Sequence, residues 1–437
     1  MLIDIPDKRK ARIVIIGGGF GGIHLAKKIS DKNIQVIILD RNNYHTFQPL
    51  LYQVATSALE AESIAYPIRK IFHRNRNVFF RLGEVKEVVP SEKKVLIDND
   101  HLFYDYLVIA TGAKTNYFGI EGLTISSMPM KSINEALDLR TMILQNFEKI
   151  LMISNERKKQ GYMNFVIAGG GPTGVELAGA LGEMKQNLFP KDYPELDLSK
   201  MNIFLVHSGD RLLQMFSPAS SERAKRYLEN LGVTMVLNTR VLDIQGDYVQ
   251  TSTGKDLIAR TLIWTAGVTG NPVSGIEQCV NKSGRIKVDE FNRVTGLENI
   301  FAIGDVSCME SELYPGGHPQ VATVAIQQGE RLAKNLMRLL NRKPLKPFRY
   351  FNKGSMATIG KNKAVIELAG LKAGGSVAWL IWVFVHLMSL VGFRNKAITL
   401  FNWIRYYFSS DHGLRLIITP FNLLEEKRKR RKELEKT

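Results

Sequence analysis

A short apolar run followed at once by three spaced glycines occurs twice in this chain. Arg12–Ile16 leads into Gly17-x-Gly19-x-x-Gly22, and Asn164–Ala168 leads into Gly169-x-Gly171-x-x-Gly174. A helical pattern follows each turn. The first glycine of such a turn permits the tight bend, the second lets the backbone approach a pyrophosphate, and the third allows close helix–strand packing. The helix start then offers free N–H groups and a partial positive charge to phosphates. Asp40 ends the next apolar run after the first turn, where a carboxylate accepts hydrogen bonds from a ribose. Strand, glycines, helix and terminal acid together predict a dinucleotide site. The competing reading is a plain strand–turn–helix with Asp40 as a turn residue.

Two such turns predict two dinucleotides in one chain, a flavin and a nicotinamide nucleotide, because hydride transfer needs a donor and an acceptor. At the second turn the apolar run Asn202–Val206 ends in His207 rather than an acid. His207 has a donor and an acceptor to offer a ribose hydroxyl, and Arg211 a cation for a 2′-phosphate, so this motif leaves NADH and NADPH open. Glu176 falls in the first helical turn after these glycines. An acid there is stabilised by the helix dipole alone. Its functional reading is to hold the nicotinamide or manage charge beside the flavin. Ala110-Thr111-Gly112 and Ala302-Ile303-Gly304-Asp305 each complete an apolar run, and Asp305 at a strand end suits the ribityl chain of a flavin. If residues 299–305 and 12–40 share one flavin domain, the nicotinamide domain is inserted between its halves.

A chain of 437 residues is too long for one ordinary core. With 45% hydrophobic and 23% charged residues it is neither disordered nor fibrous. Its two cysteines, Cys279 and Cys308, supply no CxxC pair and no zinc site, and no metal is expected. Further runs at Gln35–Leu39, Tyr106–Ile109, Thr261–Trp264 and Asn299–Ile303 read as buried parallel strands. The expected fold is α/β, two Rossmann-like dinucleotide-binding domains plus a C-terminal membrane-anchoring helical region. The expected division is an FAD domain over residues 1–120 and 288–345, an NADH domain over 121–287, and a hairpin, amphipathic helices and a basic tail over 346–437.

The net charge of +17 is unevenly placed. From Arg342 onward there are 19 Lys/Arg against 6 Asp/Glu, which leaves only 40 against 36 before it. Trp379, Trp382 and Trp403 also fall in this last part. Ile398, Phe401, Ile404 and Phe408 recur at helical spacing, with Thr399, Asn402 and Tyr406 opposite. Aromatics, an amphipathic helix and the run Lys427–Lys432 read as an interfacial anchor. The bland alternative is a packed face with a solvated tail, and nucleic acid is not expected, since no binding fold for it accompanies the run. The longest apolar run, Ala378–Leu390, is short of the ~20 residues a spanning helix needs. Neither a signal core nor an organelle presequence is read at the N-terminus.

Taken together, the motifs resemble the type II (alternative) NADH:quinone oxidoreductases, members of the two-dinucleotide-binding-domain flavoproteins. The resemblance runs over nearly the whole chain. It is carried by Ile15–Gly22, by Asp40 with His45-x-Phe47-x-Pro49-Leu50-Leu51-Tyr52-Gln53, by Ala110–Gly112, Gly169–Glu176, Trp264–Gly267 and Phe301–Asp305, and by Pro319–Gly329, Lys353–Gly360 and Ala378–Arg394. It implies FAD contacts at Gly17, Gly19, Phe20, Gly21, Gly22, Asp40, Arg41, His45 and Val85. Further FAD contacts are implied at Ala110, Thr111, Gly112, Gly304, Asp305, Ala322, Thr323 and Lys353. It implies NADH contacts at Gly169, Gly171, Pro172, Thr173, Gly174, Glu176, His207, Ala266 and Gly267, with Glu176 the catalytic candidate. Quinone is implied at Ala322, Ala325, Gln327 and Gln328. The family signature Ala-Gln-x-Ala-x-Gln reads Ala322-Thr323-Val324-Ala325-Ile326-Gln327 here, so a threonine stands where the first glutamine is usual.

The expected activity is two-electron transfer from NADH to a membrane quinone through non-covalent FAD, without proton pumping. The expected setting is a peripheral homodimer on the cytoplasmic face of a bacterial inner membrane. The rival enzyme readings are a sulfide:quinone oxidoreductase, which would need Cys279 and Cys308, or another NAD(P)H:acceptor reductase. A rival of another class is a non-catalytic redox sensor that docks its basic tail.

Overall fold

The computed structural model describes residues 5, 10–30, 32–98, 100–368, 370–409 and 413–417. The run Lys427–Lys432 lies outside them. The strands of the two larger sheets are, in chain order, β1 (Arg12–Ile16), β2 (Gln35–Asp40), β3 (Val78–Leu82), β4 (Tyr106–Ile109), β5 (Met128–Pro129), β6 (Phe165–Ala168), β7 (Ile203–Val206), β8 (Val233–Val236), β9 (Thr261–Trp264) and β10 (Ile300–Ala302). The helices that carry the residues of interest are α1 (Phe20–Ile29), α2 (Pro172–Glu183), α3 (Ala322–Leu340), α4 (Ser376–Ser389) and α5 (Phe393–Ser409).

Packing divides the chain into two compact units. The first draws on the described residues of Met1–Thr46, Ala65–Lys114 and Val268–Asn352, the second on those of Phe47–Ile64, Thr115–Gly267 and Lys353–Thr437.

In the first unit a parallel sheet runs in the order β10-β4-β1-β2-β3. Its strands are mostly apolar, Arg12, Gln35, Asp40 and Arg81 apart, because helices or sheets cover both faces. Ile13, Ile15, Val36 and Ile38 meet Ile23, Leu25 and Ala26 of α1 and Leu332, Ala333 and Leu336 of α3. The alternate residues Val14, Ile16, Ile37 and Leu39 join Val88, Val95 and Leu102 on the other face. The registers pair Ile16 with Leu39 and Ile109, and Ile109 with Ala302, so all four strand ends lie in one layer.

The second unit repeats the design. Its parallel sheet runs β5-β9-β6-β7-β8, with Ala168 opposite both Val206 and Trp264. A hairpin pairs Ser355–Thr358 with Ala364–Leu368, and Leu371–Gly374 extends it to three antiparallel strands.

The packing units differ from the expected boundaries: residues 268–287 fall in the first unit, and the second unit is wider than residues 121–287. The C-terminal part does not stand apart, and Phe47–Ile64 goes with it. The reason lies in α5, whose polar side chains fasten onto that segment: Asn395 donates to Glu62 O (2.9 Å), Asn402 to Glu60 (2.7 Å) and Trp403 Nε1 to Gln53 (2.8 Å). These bonds join residues more than three hundred positions apart, which composition does not reveal.

Within the first unit, Arg285 fixes the loop after Asp305. Arg285 is 8% exposed, and its guanidinium donates to the carbonyls of Ser307 (2.9 Å from Nε), Gly316 (3.2 Å) and His318 (2.8 Å). Arg285→Ala leaves the two buried acceptors, Ser307 O and His318 O, without this donor, at ~1–3 kcal/mol for an unmet group. We expect a loss of about 3 kcal/mol, read as a lower midpoint in urea unfolding.

Candidate active site

The C-terminal edge of the first sheet collects the expected flavin residues. Gly17 N donates to Leu39 O (2.8 Å), Ala110 N to Ile16 O (2.7 Å) and Ile303 N to Ile109 O (3.0 Å). Gly17, Asp40, Ala110 and Gly304 therefore leave neighbouring strands side by side, where ligands of doubly wound sheets bind. Gly17 holds φ +111°, and a Cβ on Gly22 would fall 2.0 Å from Gly17 O. Only glycine lets α1 start this close to β1. The N-cap Gly19 brings no side-chain acceptor, and nothing lies within 4 Å of where its Cβ would be. The first-turn amides thus face open space, which suits a pyrophosphate.

The groups around this turn hold its shape. Asp40 accepts from Gly18 N (2.6 Å) and Asn42 N (2.7 Å). Burial raises its pKa and the two amides oppose the rise. His45 donates from Nδ1 to Gly18 O (3.0 Å), stands edge-on to Phe20, and is kept neutral by burial, its pKa lowered to about 4. Gly21 packs against Ile303. Arg41 is exposed beside Asp40, and Val85 follows Gly83, whose amide donates to Asp40 O (3.0 Å). Thr111 Oγ1 donates to Asn271 O (2.6 Å), and Gly112 has φ +70°. Asp305 follows Gly304, and Gln320 donates to its carbonyl (2.9 Å).

The residues named for quinone open α3. Thr323 Oγ1 is 2.9 Å from Tyr350 Oη, so a tyrosine hydroxyl partners the shortened side chain. Ala322 is half-buried, and Ala325 is buried against Gly304. Gln327 is paired both ways with the Phe351 backbone (2.9 and 3.0 Å), and Gln328 Oε1 accepts from Gly304 N (2.7 Å). Both amides brace backbone. Lys353 is exposed and belongs to the second unit.

In the second unit the same turn recurs. Gly169 has φ +117°, its amide donates to Val206 O (2.8 Å), and a Cβ on Gly174 would fall 1.9 Å from Gly169 O. Gly171 is the uncapped N-cap of α2, Pro172 and Thr173 are its first residues, and Ala266 and Gly267 leave β9 beside the turn. His207 Nδ1 accepts from Gly170 N (3.2 Å). Arg211 is already engaged: Nη1 donates to Phe216 O (2.7 Å) and Ser221 Oγ (2.9 Å), Nη2 to Gln214 O (2.9 Å). The structure does not offer it as the 2′-phosphate cation that sequence left open.

Glu176 is 8% exposed on α2. Burial raises its pKa to about 8, against a smaller opposing bond from the Thr358 amide. It therefore carries a proton at neutral pH. Glu183, two turns further along the same face, accepts from Tyr406 Oη (2.5 Å) and from the Lys361 amide. It lines a cavity with Tyr52, Gln53, Trp382, Trp403 and Tyr406. Tyr52 accepts from Gln53 (2.8 Å), and its pKa is raised by burial and then by the nearby Glu176 and Glu183. Sequence reasoning missed Glu183 and Tyr406 as site residues. The i, i+7 spacing of two acids on one helix was the available signal. Cys279 and Cys308 are both buried free thiols whose pKa values burial raises, the opposite of a reactive thiolate.

The pyridine nucleotide-disulphide oxidoreductase family model matches residues 11–329, and the NDH2 C-terminal domain matches residues 352–411. A type II NADH:quinone oxidoreductase of Mycobacterium tuberculosis is 34% identical over 429 residues, covering 94% of this chain and 91% of that protein. The chain belongs to the type II NADH:quinone oxidoreductases. FAD is the cofactor of this family and NADH its substrate. The fold is that of NDH2 from Plasmodium falciparum, solved in complex with NADH, with a TM-score of 0.85, 23% identity, and 94% and 100% of the two chains covered. The sulfide:quinone oxidoreductase of Aquifex aeolicus shares the fold less closely, with a TM-score of 0.71, 20% identity, and 92% and 96% covered.

The proton on Glu176 leaves a mark on stability. Its folded pKa of about 8 lies above the ordinary 4.5, so the fold is favoured where the group is protonated in both states. That contribution is complete below pH 4.5 and is lost as pH rises toward 8, at ~1.4 kcal/mol per pH unit. Glu176→Gln keeps the neutral shape and should flatten this slope, leaving the variant more stable than wild type at pH 8 by urea unfolding.

Proposed function

We propose that this type II enzyme transfers two electrons from NADH to a membrane quinone through non-covalent FAD, by NADH + H⁺ + quinone → NAD⁺ + quinol, and moves no protons across the membrane. The observation that carries this is the pair of glycine cradles in one chain whose two cysteines are both buried as thiols. We assign FAD to residues 1–120 with 288–345, and NADH to residues 121–287. FAD, when bound, accepts the hydride and passes the electrons on. The protein's own part is to hold and to protonate. The amides that open α1 and α2 meet the pyrophosphates. Asp40 and Asp305 accept from sugar hydroxyls, and His45 keeps the Gly18 carbonyl in place.

The reaction takes up one proton for each quinone. Glu176, neutral at pH 7, is the group we assign to hold and release it. The cavity of the second unit has an aromatic wall, a Tyr52 hydroxyl and one acid, Glu183, to offer a quinone, and we keep Ala322, Ala325, Gln327 and Gln328 as proposed quinone residues of the first unit. Anaerobic stopped-flow mixing of the FAD-loaded protein with NADH, then a short-chain quinone, tests the reading. Flavin bleaching followed by recovery is expected, whereas absence of bleaching overturns it. Glu176→Gln should slow quinone turnover about 100-fold, in the range for loss of a proton-transfer group, and leave the affinity for NADH little changed.

We further propose that α4 and α5 seat the enzyme on the cytoplasmic face of a bacterial inner membrane, as a homodimer. Among the described residues no helix is long and apolar enough to cross a membrane. The apolar stripes point outward: Phe384 is 65% exposed on α4, and Phe401, Ile404 and Phe408 are 67%, 48% and 80% exposed on α5. Burying each in lipid is worth ~1.5 kcal/mol or more. Replacing Phe401, Ile404 and Phe408 by Glu should cut binding to vesicles of mixed neutral and anionic lipid by at least about 100-fold. Turnover of a water-soluble quinone should persist.

A further inference from the structure

The cavity of the second unit has four hydroxyls on its wall, those of Tyr52, Thr56, Thr358 and Tyr406. Three of them have committed their protons. Thr56 Oγ1 donates to Tyr52 O (2.8 Å), Thr358 Oγ1 shares its proton between Gly360 O and Lys363 O (3.1 Å each), and Tyr406 Oη donates to Glu183.

The fourth hydroxyl is set by its neighbours. Tyr52 and Gln53 are adjacent on the short helix Leu51–Ala55. An indole N–H only donates. The Gln53 atom 2.8 Å from Trp403 Nε1 is therefore the amide oxygen, which puts the amide nitrogen 2.8 Å from Tyr52 Oη. That nitrogen also only donates, so the tyrosine oxygen accepts and its own proton is left over. Among the described residues no protein group accepts this proton; Glu183 is engaged with Tyr406 and the Lys361 amide. The relay is braced from behind. Trp403 is 7% exposed and lies against Trp382, ring centroids 5.5 Å apart, and Trp382 is stacked on His386 at 4.1 Å. Turning the indole away would open a hole in this packing.

A donor without a protein acceptor selects for a ligand that brings one. Much of the wall is apolar: Ala58, Ala180, Val383 and the indoles. A flat apolar ring bearing a carbonyl oxygen meets both demands. As such a carbonyl takes up an electron pair, negative charge grows on its oxygen, and a donor already in place stabilises that charge without reorganising. Tyr52 keeps its own proton in this step, because burial above all raises its pKa.

We propose that the Tyr52 hydroxyl donates to a carbonyl oxygen of the quinone, and that Gln53 and Trp403 are positioning residues that keep its proton turned to the ligand. This rests on reading the cavity of the second unit as a place for quinone.

The test compares Tyr52→Phe, Trp403→Phe and their double variant in the full-length, FAD-loaded protein, using a short-chain benzoquinone isotope-labelled at its carbonyl carbons. Infrared difference spectra of the bound quinone report the bond directly. Wild type should show a carbonyl stretch at lower wavenumber than the free quinone. Tyr52→Phe should return it to the free position and lower kcat for quinone about 100-fold, as for loss of one preplaced donor. Flavin bleaching by NADH should not change. Trp403→Phe frees Gln53 to turn, so it should broaden the shifted band and cost about fivefold in kcat, the worth of one neutral hydrogen bond. In the double variant it should cost nothing beyond Tyr52→Phe. A band and kcat unmoved by Tyr52→Phe would overturn the donor, and equal losses from Trp403→Phe in both backgrounds would overturn the positioning role. Ala58→Trp fills the cavity and keeps the two failures apart: a raised KM for quinone upholds the cavity reading, whereas an unmoved KM and carbonyl band overturn that reading itself.

Discussion

A missing side-chain carbon decides where this chain can bind anything. A Cβ on Gly22 would lie 2.0 Å from Gly17 O, and one on Gly174 1.9 Å from Gly169 O. No rotamer change relieves a clash with a backbone oxygen. Each helix therefore starts against its strand only because these positions are bare. That closeness sets the helix amides at the carboxyl edge of the sheet. The parallel register then brings the other strand ends to the same layer, Ala110 and Gly304 in the first unit and Thr265 in the second. The binding edge follows from one steric fact and the direction of the strands.

What was legible in the sequence was what short-range sterics dictate. The two turns, Asp40 and Asp305 could be read because a strand end followed by glycines has few other uses. The cavity was not legible. Tyr406 meets Glu183 across 223 positions, and Trp403 meets Gln53 across 350. No local pattern encodes such partners. The quinone signature shows the opposite problem: Gln327 and Gln328 bond backbone. A motif fixes residue identity without fixing what the side chain touches.

The two buried acids on α2 answer the same physical problem differently. A carboxylate removed from water must find donors or keep its proton. Glu183 has a tyrosine hydroxyl and a backbone amide that oppose, without cancelling, the rise in pKa that burial causes. Glu176 has the Thr358 amide and burial that outweighs it, so it stays neutral near pH 7. One helix face thus carries two buried acids whose pKa values burial raises, two turns apart, Glu176 opposed by one amide and Glu183 by a hydroxyl and an amide.

The C-terminal helices extend the same logic to the surface. A helix in a water-soluble fold ordinarily turns its apolar stripe inward. On α5 the stripe Phe401, Ile404 and Phe408 is outside, while Thr399 is buried and Asn402 and Tyr406 bond to Glu60 and Glu183. The polar stripe is committed to protein partners, which fixes the rotation of the helix. Reversing it to hide the phenylalanines would strand those side chains and unseat Tyr406 from Glu183. The outward apolar face and the acid in the cavity are therefore coupled through one tyrosine. A surface suited to lipid and the chemistry of the cavity are held by the same rotational setting of α5.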